Sequence, residues 1–379
     1  MKKFVFVCLY LYRILNVLPV IADDSIQAFD TNLVTIVFAG DIMGHDAQIK
    51  GAFDSISKVY NYEPTFRYIS DYITSADIAI GNLEVTLAGP PYKGYPQFSS
   101  PDDLVVAAKN AGFDILVTAN NHALDGGVKG FVRTLDILDS LSIYHAGTYR
   151  DSIEQAVIHP LIIEKNTIRI ALLNYTYGTN GLKIKSPYRI NRIDTAMMSF
   201  EIEKAKLANP DFIIVFIHWG NEYEREENIN QKKFAEFMLQ KGVDVIIGSH
   251  PHVVQPICLL SLPGDTLNIF PVVYSIGNFV SNQRAQYKDG GIVAELHLSK
   301  IGQNAKFDSI NYLPYWVWRQ DRVDGKSTFY VLPVTKYELI PEVFDLLPGD
   351  IYRLNRFASD TREHLKNISE SGYYRRNEE

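Results

Sequence analysis

Oxygen and imidazole-nitrogen donors recur where apolar runs of this sequence end: Asp41, Asn82 with Glu84, Asn120-Asn121-His122, His218, and His250 with His252. Imidazole and carboxylate together suit Zn, Mn, Fe or related divalent ions better than Ca or Mg alone, and asparagine can add a neutral carbonyl oxygen. A centre of one or two such ions activates water and steadies negative charge developing on an oxyanion. The chemistry to expect is therefore hydrolysis or transfer at a charged centre. Each cluster alone has an ordinary reading. A histidine at a strand end is commonly a hydrogen-bonded structural residue, and "GDIMGHD" reads equally as a loop entering a helix cap. The coincidence of five strand ends carries the inference, while His145, His159 and His297 lie outside the pattern. His250 and His252 add to it, since residues i and i+2 of an extended segment project the same way.

The elements that must hold these donors follow one rhythm. The β-branched runs "LVTIVFAGD", "ADIAIGNLE", "FDILVTANNH", "FIIVFIHWGNE", "VDVIIGSHPH" and "PVVYSIGNF" each end in a polar cluster. Continuous apolar runs of this length predict strands buried on both faces. Amphipathic spacing predicts helices over 63–75, 101–111, 127–140, 196–208 and 229–241. Alternating strands and helices give an α/β fold, and ligands of such sheets collect at the carboxyl ends of strands. Further strands at 168–176 and 291–299 suggest mixed pairing in two stacked sheets. Beyond about residue 300 the rhythm weakens into "LPYWVWRQDR" and a polar helix near 350–369. Residues 301–379 are expected to form a C-terminal extension packed on a 30–300 domain, ending in a frayed "YYRRNEE" tail.

At 379 residues, 46% hydrophobic and 21% charged, the composition is that of a globular protein. Lys2 and Lys3 precede an apolar run to Ala22, interrupted by Arg13, so residues 1–22 are expected to be a cleaved signal peptide or a retained N-terminal anchor. A secreted, periplasmic or cell-surface location follows. Removing that segment takes the formal charge from −7 to −10, which argues against a nucleic-acid surface. It also leaves Cys258 as the single cysteine, so no internal disulfide is expected.

The ordered motifs "FAGDIMGHD", "GNLEVTL", "TANNHALDGG", "HWGNEY", "GSHPHVVQP" and "YSIGNFV" resemble the CapA family of capsule and poly-γ-glutamate synthesis, within the metallophosphoesterase-like superfamily. The resemblance covers roughly residues 33–300. It implies a metallophosphoesterase-like sandwich of mixed β-sheets flanked by helices. It also implies roles by position: Asp41 and His252 as ligands of a first ion, and Asn121, His218 and His250 as ligands of a second. Asn82 stands where the superfamily bridges two ions with an aspartate. A neutral amide is a poor bridge between cations, and Glu84 is the nearest carboxylate able to replace it. Met43 stands where a histidine is usual, with His45 two residues further on. His122 matches a histidine that protonates the leaving group, and Asp125 would orient it from the same helical face. Asn120 is expected to serve a turn or support its neighbours.

Two functions follow from the resemblance. One is a metal-dependent hydrolase, phosphoesterase-like or acting on γ-glutamyl amides, whose substrate is an acidic cell-surface polymer or a phosphorylated precursor. The other is a non-catalytic accessory protein that keeps the fold and helps membrane-bound synthesis proteins make or export polymer. Met43 and Asn82 favour the second, and the His122–Asp125 pair favours the first. A polyanionic substrate needs local cations on so acidic a chain. Arg225, Arg284 and Lys288 follow strand ends and are candidates, unless they are ordinary solvated surface.

Overall fold

The computed structural model describes residues 31–376 apart from 266 and 267. The expected signal or anchor at 1–22 lies outside the described residues. Two mixed sheets stack face to face with helices on both outer surfaces, the sandwich that the motifs implied.

The first sheet runs, from one edge, through Ser327–Pro333, Asn304–Asp321, Gly290–Ile301, Asn32–Ile42, Ile78–Leu83, Ile115–Val117 and Tyr144–Ala146, with Asn278–Val280 also pairing Asn32–Ile42. The second runs Ile257–Leu260, Phe270–Val273, Val245–Ser249, Phe212–His218, Ile168–Thr176 and Leu161–Lys165. Alternation along each strand sorts side chains between two cores. Val34, Ile36 and Phe38 meet Ile214, Phe216 and Ile247 between the sheets. Val37 and Ala39 face outward onto Leu104 and Val105 of the helix Asp103–Asn110. Ile213 and Val215 face Met198, Ile202 and Met238 on the helices Thr195–Leu207 and Ile229–Gln240. Both faces of the central strands are therefore dry, which is why their sequences read as unbroken apolar runs.

One aspartate per strand sets the parallel register. Asp77, Asp114, Asp211 and Asp244 open four strands, and each carboxylate accepts a backbone N–H from the strand alongside: Thr35 (2.9 Å), Ala79 (2.8 Å), Arg169 (2.8 Å) and Ile213 (2.7 Å). Their own N–H groups return bonds to the Thr35, Ala79, Arg169 and Ile213 carbonyls. Backbone groups at the amino ends of these four strands are thereby paired, and each is held in parallel register with the strand alongside. Burial lifts Asp244 to about 6, against the pull of the Ile213 N–H. A raised carboxyl contributes stability that is complete below its ordinary 3.8 and is lost as pH rises through 6. Asp244→Asn keeps the acceptor and removes the buried charge. Urea midpoints of variant and wild type should coincide near pH 4, with the variant more stable at about pH 7.5. A less stable variant at the higher pH contradicts this.

The C-terminal segment differs from expectation. Asn304–Asp321 pairs antiparallel with Gly290–Ile301, so a boundary near 300 falls inside a hairpin, and Ser327–Pro333 completes the sheet edge. The helix Pro348–His364 packs through Leu354, Phe357 and Ala358 against Trp316 and Trp318, and its Asp360 Oδ2 accepts from Gln286 Nε2 (2.7 Å). Nor is Tyr373-Tyr374 frayed: the buried Tyr374 donates its hydroxyl hydrogen bond to Asp71 Oδ1 (3.1 Å) or the Tyr68 carbonyl (3.3 Å). Among the described residues no helix is long and apolar enough to cross a membrane, and Cys258 is a free thiol.

Candidate metal centre

The carboxyl ends of strands from both sheets meet at one buried cluster. Asp41, Asn82, Glu84 and Asn121 arrive from the first sheet, and His218, His250 and His252 from the second; all are buried. Two glycines permit the close approach. A Cβ on Gly40 would strike the Gly277 carbonyl, and one on Gly248 would strike the Tyr274 carbonyl and the Trp219 indole nitrogen. Gly248→Ala should cost about 1–3 kcal/mol through overpacking, visible as a lowered urea midpoint with unchanged slope. An unchanged midpoint contradicts the packing argument.

The register of Asn32–Ile42 shifts beside Asp41 on both flanks, an irregularity that re-aims the side chain. Its Oδ1 accepts from Asn82 Nδ2 (2.8 Å) and its Oδ2 lies 3.0 Å from His252 Nδ1. Burial opposes charge on Asp41. The bond and charge of His252 outweigh it and hold the carboxyl at about 2. Burial likewise opposes charge on His252, yet Glu84 and Asp41 lift it to about 9.

Glu84 is the odd member. Its carboxylate is fully buried and neither oxygen accepts a hydrogen bond. His218 Nε2 stands 3.5 Å from Oε1 and His252 Nε2 3.9 Å. Burial, then the Asp41 charge, push its pKa well above the usual carboxylate range. A buried carboxylate without a hydrogen-bond donor is costly, so a cation or a proton belongs there. Two groups of donors share it: Glu84 with His250 and His252, and Asp41 with Glu84 and His218, the atoms of each group lying within 4.8 Å of one another. Burial holds His218 at about 3 and His250 well below its ordinary value. Both thus present the neutral imidazole that ligates a metal. The donor set fits a divalent ion.

Asn82 spends its amide inside the cluster rather than offering a free oxygen: Nδ2 donates to Asp41, and Oδ1 accepts from Asn120 Nδ2 (3.2 Å). Of the two candidates for the shared position, geometry favours Glu84. Asn121 Oδ1 lies 2.8 Å from His218 Nε2, so these two donors face the same space. Asn120 supports the turn, donating to the Leu83 carbonyl (2.7 Å) and accepting the His122 N–H (3.1 Å). Met43 is packed in the apolar core. His45 caps the helix Asp46–Ala52, with Nδ1 beside Gln48 Oε1 (3.1 Å) and the Asn282 N–H (3.2 Å).

His250 and His252 converge for a reason other than extended alternation. Both have left-handed backbones, φ 99° and 57°, on either side of Pro251. Such conformations are strained for residues with a side chain and persist where the surroundings impose them. His122 and Asp125 meet across consecutive turns, ahead of the helix Gly127–Ser140, instead of on a helical face. His122 Nδ1 lies 2.6 Å from Asp125 Oδ2, which also accepts the Phe98 N–H (2.7 Å). Burial disfavours the imidazolium, but the Asp125 bond and the Glu84 charge outweigh it and raise the His122 pKa. With Nδ1 committed to Asp125, Nε2 is free to hold a proton.

Ser249, Tyr177 and Tyr223 escaped the sequence reading. Ser249 Oγ sits 2.9 Å from His218 Nδ1 and turns Nε2 toward the cluster. Tyr177 lies against His250, ring centroids 4.6 Å apart, and Tyr223 against His252 at 6.2 Å; both are partly exposed. Asn278 holds the His252 carbonyl through Nδ2 (3.3 Å). Ser249 stands next to His250, a signal that was available; the tyrosines lie in loops with no distinguishing pattern.

Fold and site together define a two-sheet α/β sandwich with a histidine–carboxylate centre at the common carboxyl edge. The chain belongs to the bacterial capsule synthesis protein PGA_cap family, whose model matches residues 35–283. It is 29% identical over 281 residues to "Capsule biosynthesis protein CapA" of Bacillus anthracis, a match covering 71% of this chain and 65% of that protein. It is 27% identical over 289 residues to "PGA biosynthesis protein CapA" of Bacillus subtilis (strain 168), covering 73% and 71%. Among solved structures it is similar to the NAD nucleotidase NadN of Haemophilus influenzae (TM-score 0.49, 13% identity, 90% of this chain and 64% of that one). It is also similar to the calcineurin-like phosphoesterase YfkN of Bacillus subtilis (TM-score 0.44, 14% identity, 89% and 100%).

Proposed function

We propose that this chain is a metal-dependent hydrolase or transferase of capsule-polymer production, acting on an acidic cell-surface polymer of the poly-γ-glutamate kind or on a phosphorylated precursor. The carrying observation is the buried Glu84 carboxylate without a hydrogen-bond donor, shared by two groups of potential ligands. Asp41, Glu84, Asn121, His218, His250 and His252 would hold one or two divalent ions, Mn, Zn or Fe. When bound, such an ion lowers the pKa of water and offsets negative charge developing at the reacting centre.

The chain's own residues do the rest. Asp125 holds the His122 ring by its Nδ1, so that Nε2 carries a proton toward the site. That proton goes to the departing alkoxide or amine. Phe98 packs edge-on against His122, ring centroids 4.7 Å apart, and shields the pair from water. Location outside the cytoplasm, and work beside membrane-bound polymer synthesis proteins, belong to the same proposal.

A second reading, an accessory protein without catalysis, draws on the commitment of Asn82 to Asp41 and on the burial of Met43 in the core. Turnover separates the two. Bis(p-nitrophenyl) phosphate and a γ-glutamyl oligomer, each with Mn or with a chelator, should show metal-dependent cleavage of at least one. Metal-replete protein that binds the oligomer without cleaving either substrate favours the accessory reading.

A further inference from the structure

Two loops brace the turn that carries His250 and His252. The Tyr223 N–H donates to the Pro251 carbonyl (2.7 Å). Asn278 Nδ2 lies within reach of both the His252 carbonyl (3.3 Å) and the Lys288 carbonyl (2.9 Å). The loops also interlock with each other. The Lys288 ammonium lies 3.7 Å from the centroid of the Tyr223 ring, and the Arg225 guanidinium 4.2 Å from that of Tyr287. Each loop thus supplies one ring and one cation to the other. Arg284, the third basic residue of the region, is turned inward, donating to the Val317 carbonyl (2.6 Å) and lying over Trp316.

Lys288 is placed unlike an ordinary surface lysine. Glu222, Glu224, Glu226 and Glu227 crowd the neighbouring loop of a chain whose formal charge is −7. Yet among the described residues no carboxylate stands within ion-pair distance of its ammonium. A cation on a ring face is held by the π electrons while its N–H donors stay available on the open side. Tyr223 is 46% exposed, so the pair opens to solvent beside His252.

We propose that Lys288, seated on Tyr223, is the anion-recognising and specificity-determining residue of this site, taking a substrate carboxylate or phosphate next to the group that reacts at the metal centre. This rests on the functional reading above and names what that reading lacks, a cation where an acidic substrate must enter. The bonds that fix the histidine turn also fix the Lys288 backbone, so the spacing between anion and reacting bond is set by the fold. A substrate with a negative charge just beyond its scissile bond is selected over a neutral analogue.

Calorimetric titration of the full chain, metal-replete, with tetra-γ-glutamate, its uncharged counterpart (N-acetylated and with every carboxyl amidated) and glycerol 3-phosphate tests this. Lys288→Gln should weaken binding of at least one anion about tenfold or more, and Lys288→Arg should keep it within about threefold. The neutral tetramer should bind wild type and Lys288→Gln alike. Dependence on Lys288 for the γ-glutamate probe identifies a carboxylate, and for glycerol 3-phosphate a phosphate. Equal binding of both anions to wild type and Lys288→Gln overturns the proposal. So does no binding of either anion to wild type, or an equal loss of the neutral tetramer in the variant, which marks a structural role. Metal content of the same samples separates the two layers. Protein that holds metal but ignores Lys288→Gln overturns the anion subsite alone, while wild type without metal overturns the metal reading.

Discussion

Glu84→Gln should abolish tight metal binding and, with it, turnover, while leaving the apo protein folded. The two side chains are nearly the same shape, so the fully buried pocket between Asp41, His218 and His252 stays filled. What disappears is the one negative charge that both ligand groups share. Two cations held close together repel strongly at low dielectric, and a neutral amide does not offset that repulsion. Metal affinity should fall at least about a hundredfold, the upper end of what loss of a merely supporting partner costs. Apo stability should move the other way or not at all. The wild-type carboxylate is buried without a donor, and its removal relieves a cost instead of breaking a bond. Thermal unfolding with and without added Mn reads both effects. Wild type should gain midpoint with metal and Glu84→Gln should not. A variant that retains metal-dependent stabilisation, or whose apo form unfolds many degrees earlier, contradicts the assignment of Glu84.

His122→Ala should reduce turnover about 10²–10⁴-fold, the contribution of a well-placed general acid, with bound metal unchanged. His122 is joined to Asp125 and lies outside both candidate ligand groups, which is why the two properties should separate. The loss should depend on the leaving group. An activated phenolate leaves without protonation, so a nitrophenyl ester should lose least and an alkyl ester or amide most. Equal losses across leaving groups, or loss of metal, would reassign His122 to positioning or ligation. Asp125→Asn is a less clean probe, because Asp125 also accepts the Phe98 N–H and its replacement disturbs the loop.

Much of this molecule was legible from residue order. Buried strands and most of their helices fell where apolar periodicity placed them, as at Ile168–Thr176 and Gly127–Ser140, because dry faces on both sides of a strand leave a plain signature; the helix expected over 63–75 divides into Glu63–Phe66 and Ser70–Thr74. Within "TANNHALDGG", Asn120 accepts the His122 N–H, Asn121 Oδ1 lies against His218 Nε2, and His122 meets Asp125 in turns ahead of the helix. Glu84 was visible as a strand-end donor and as the nearest carboxylate to an asparagine in the wrong place, but its place between two ligand groups was not. Its shared position depends on strands distant in sequence arriving at one level. The left-handed φ at His250 and His252 could not be read from "SHPH", where i and i+2 spacing suggested an extended segment. Arg284 and Lys288 look alike in the sequence, and only the packing of Trp316 and Tyr223 beneath them separates a structural cation from one open to solvent. The strands after residue 300 were missed as part of the sheet because they pair antiparallel at its edge, away from the strand–helix rhythm that announced the rest.

The most direct test of the account is the metal content of purified protein, measured by mass spectrometry after exposure to excess Mn, Zn and Fe in turn, beside His218→Ala and His252→Ala. Folded wild type should retain at least about one equivalent of one of these ions per chain, and each variant should retain markedly less. Wild type that holds no more metal than the two variants contradicts the central claim.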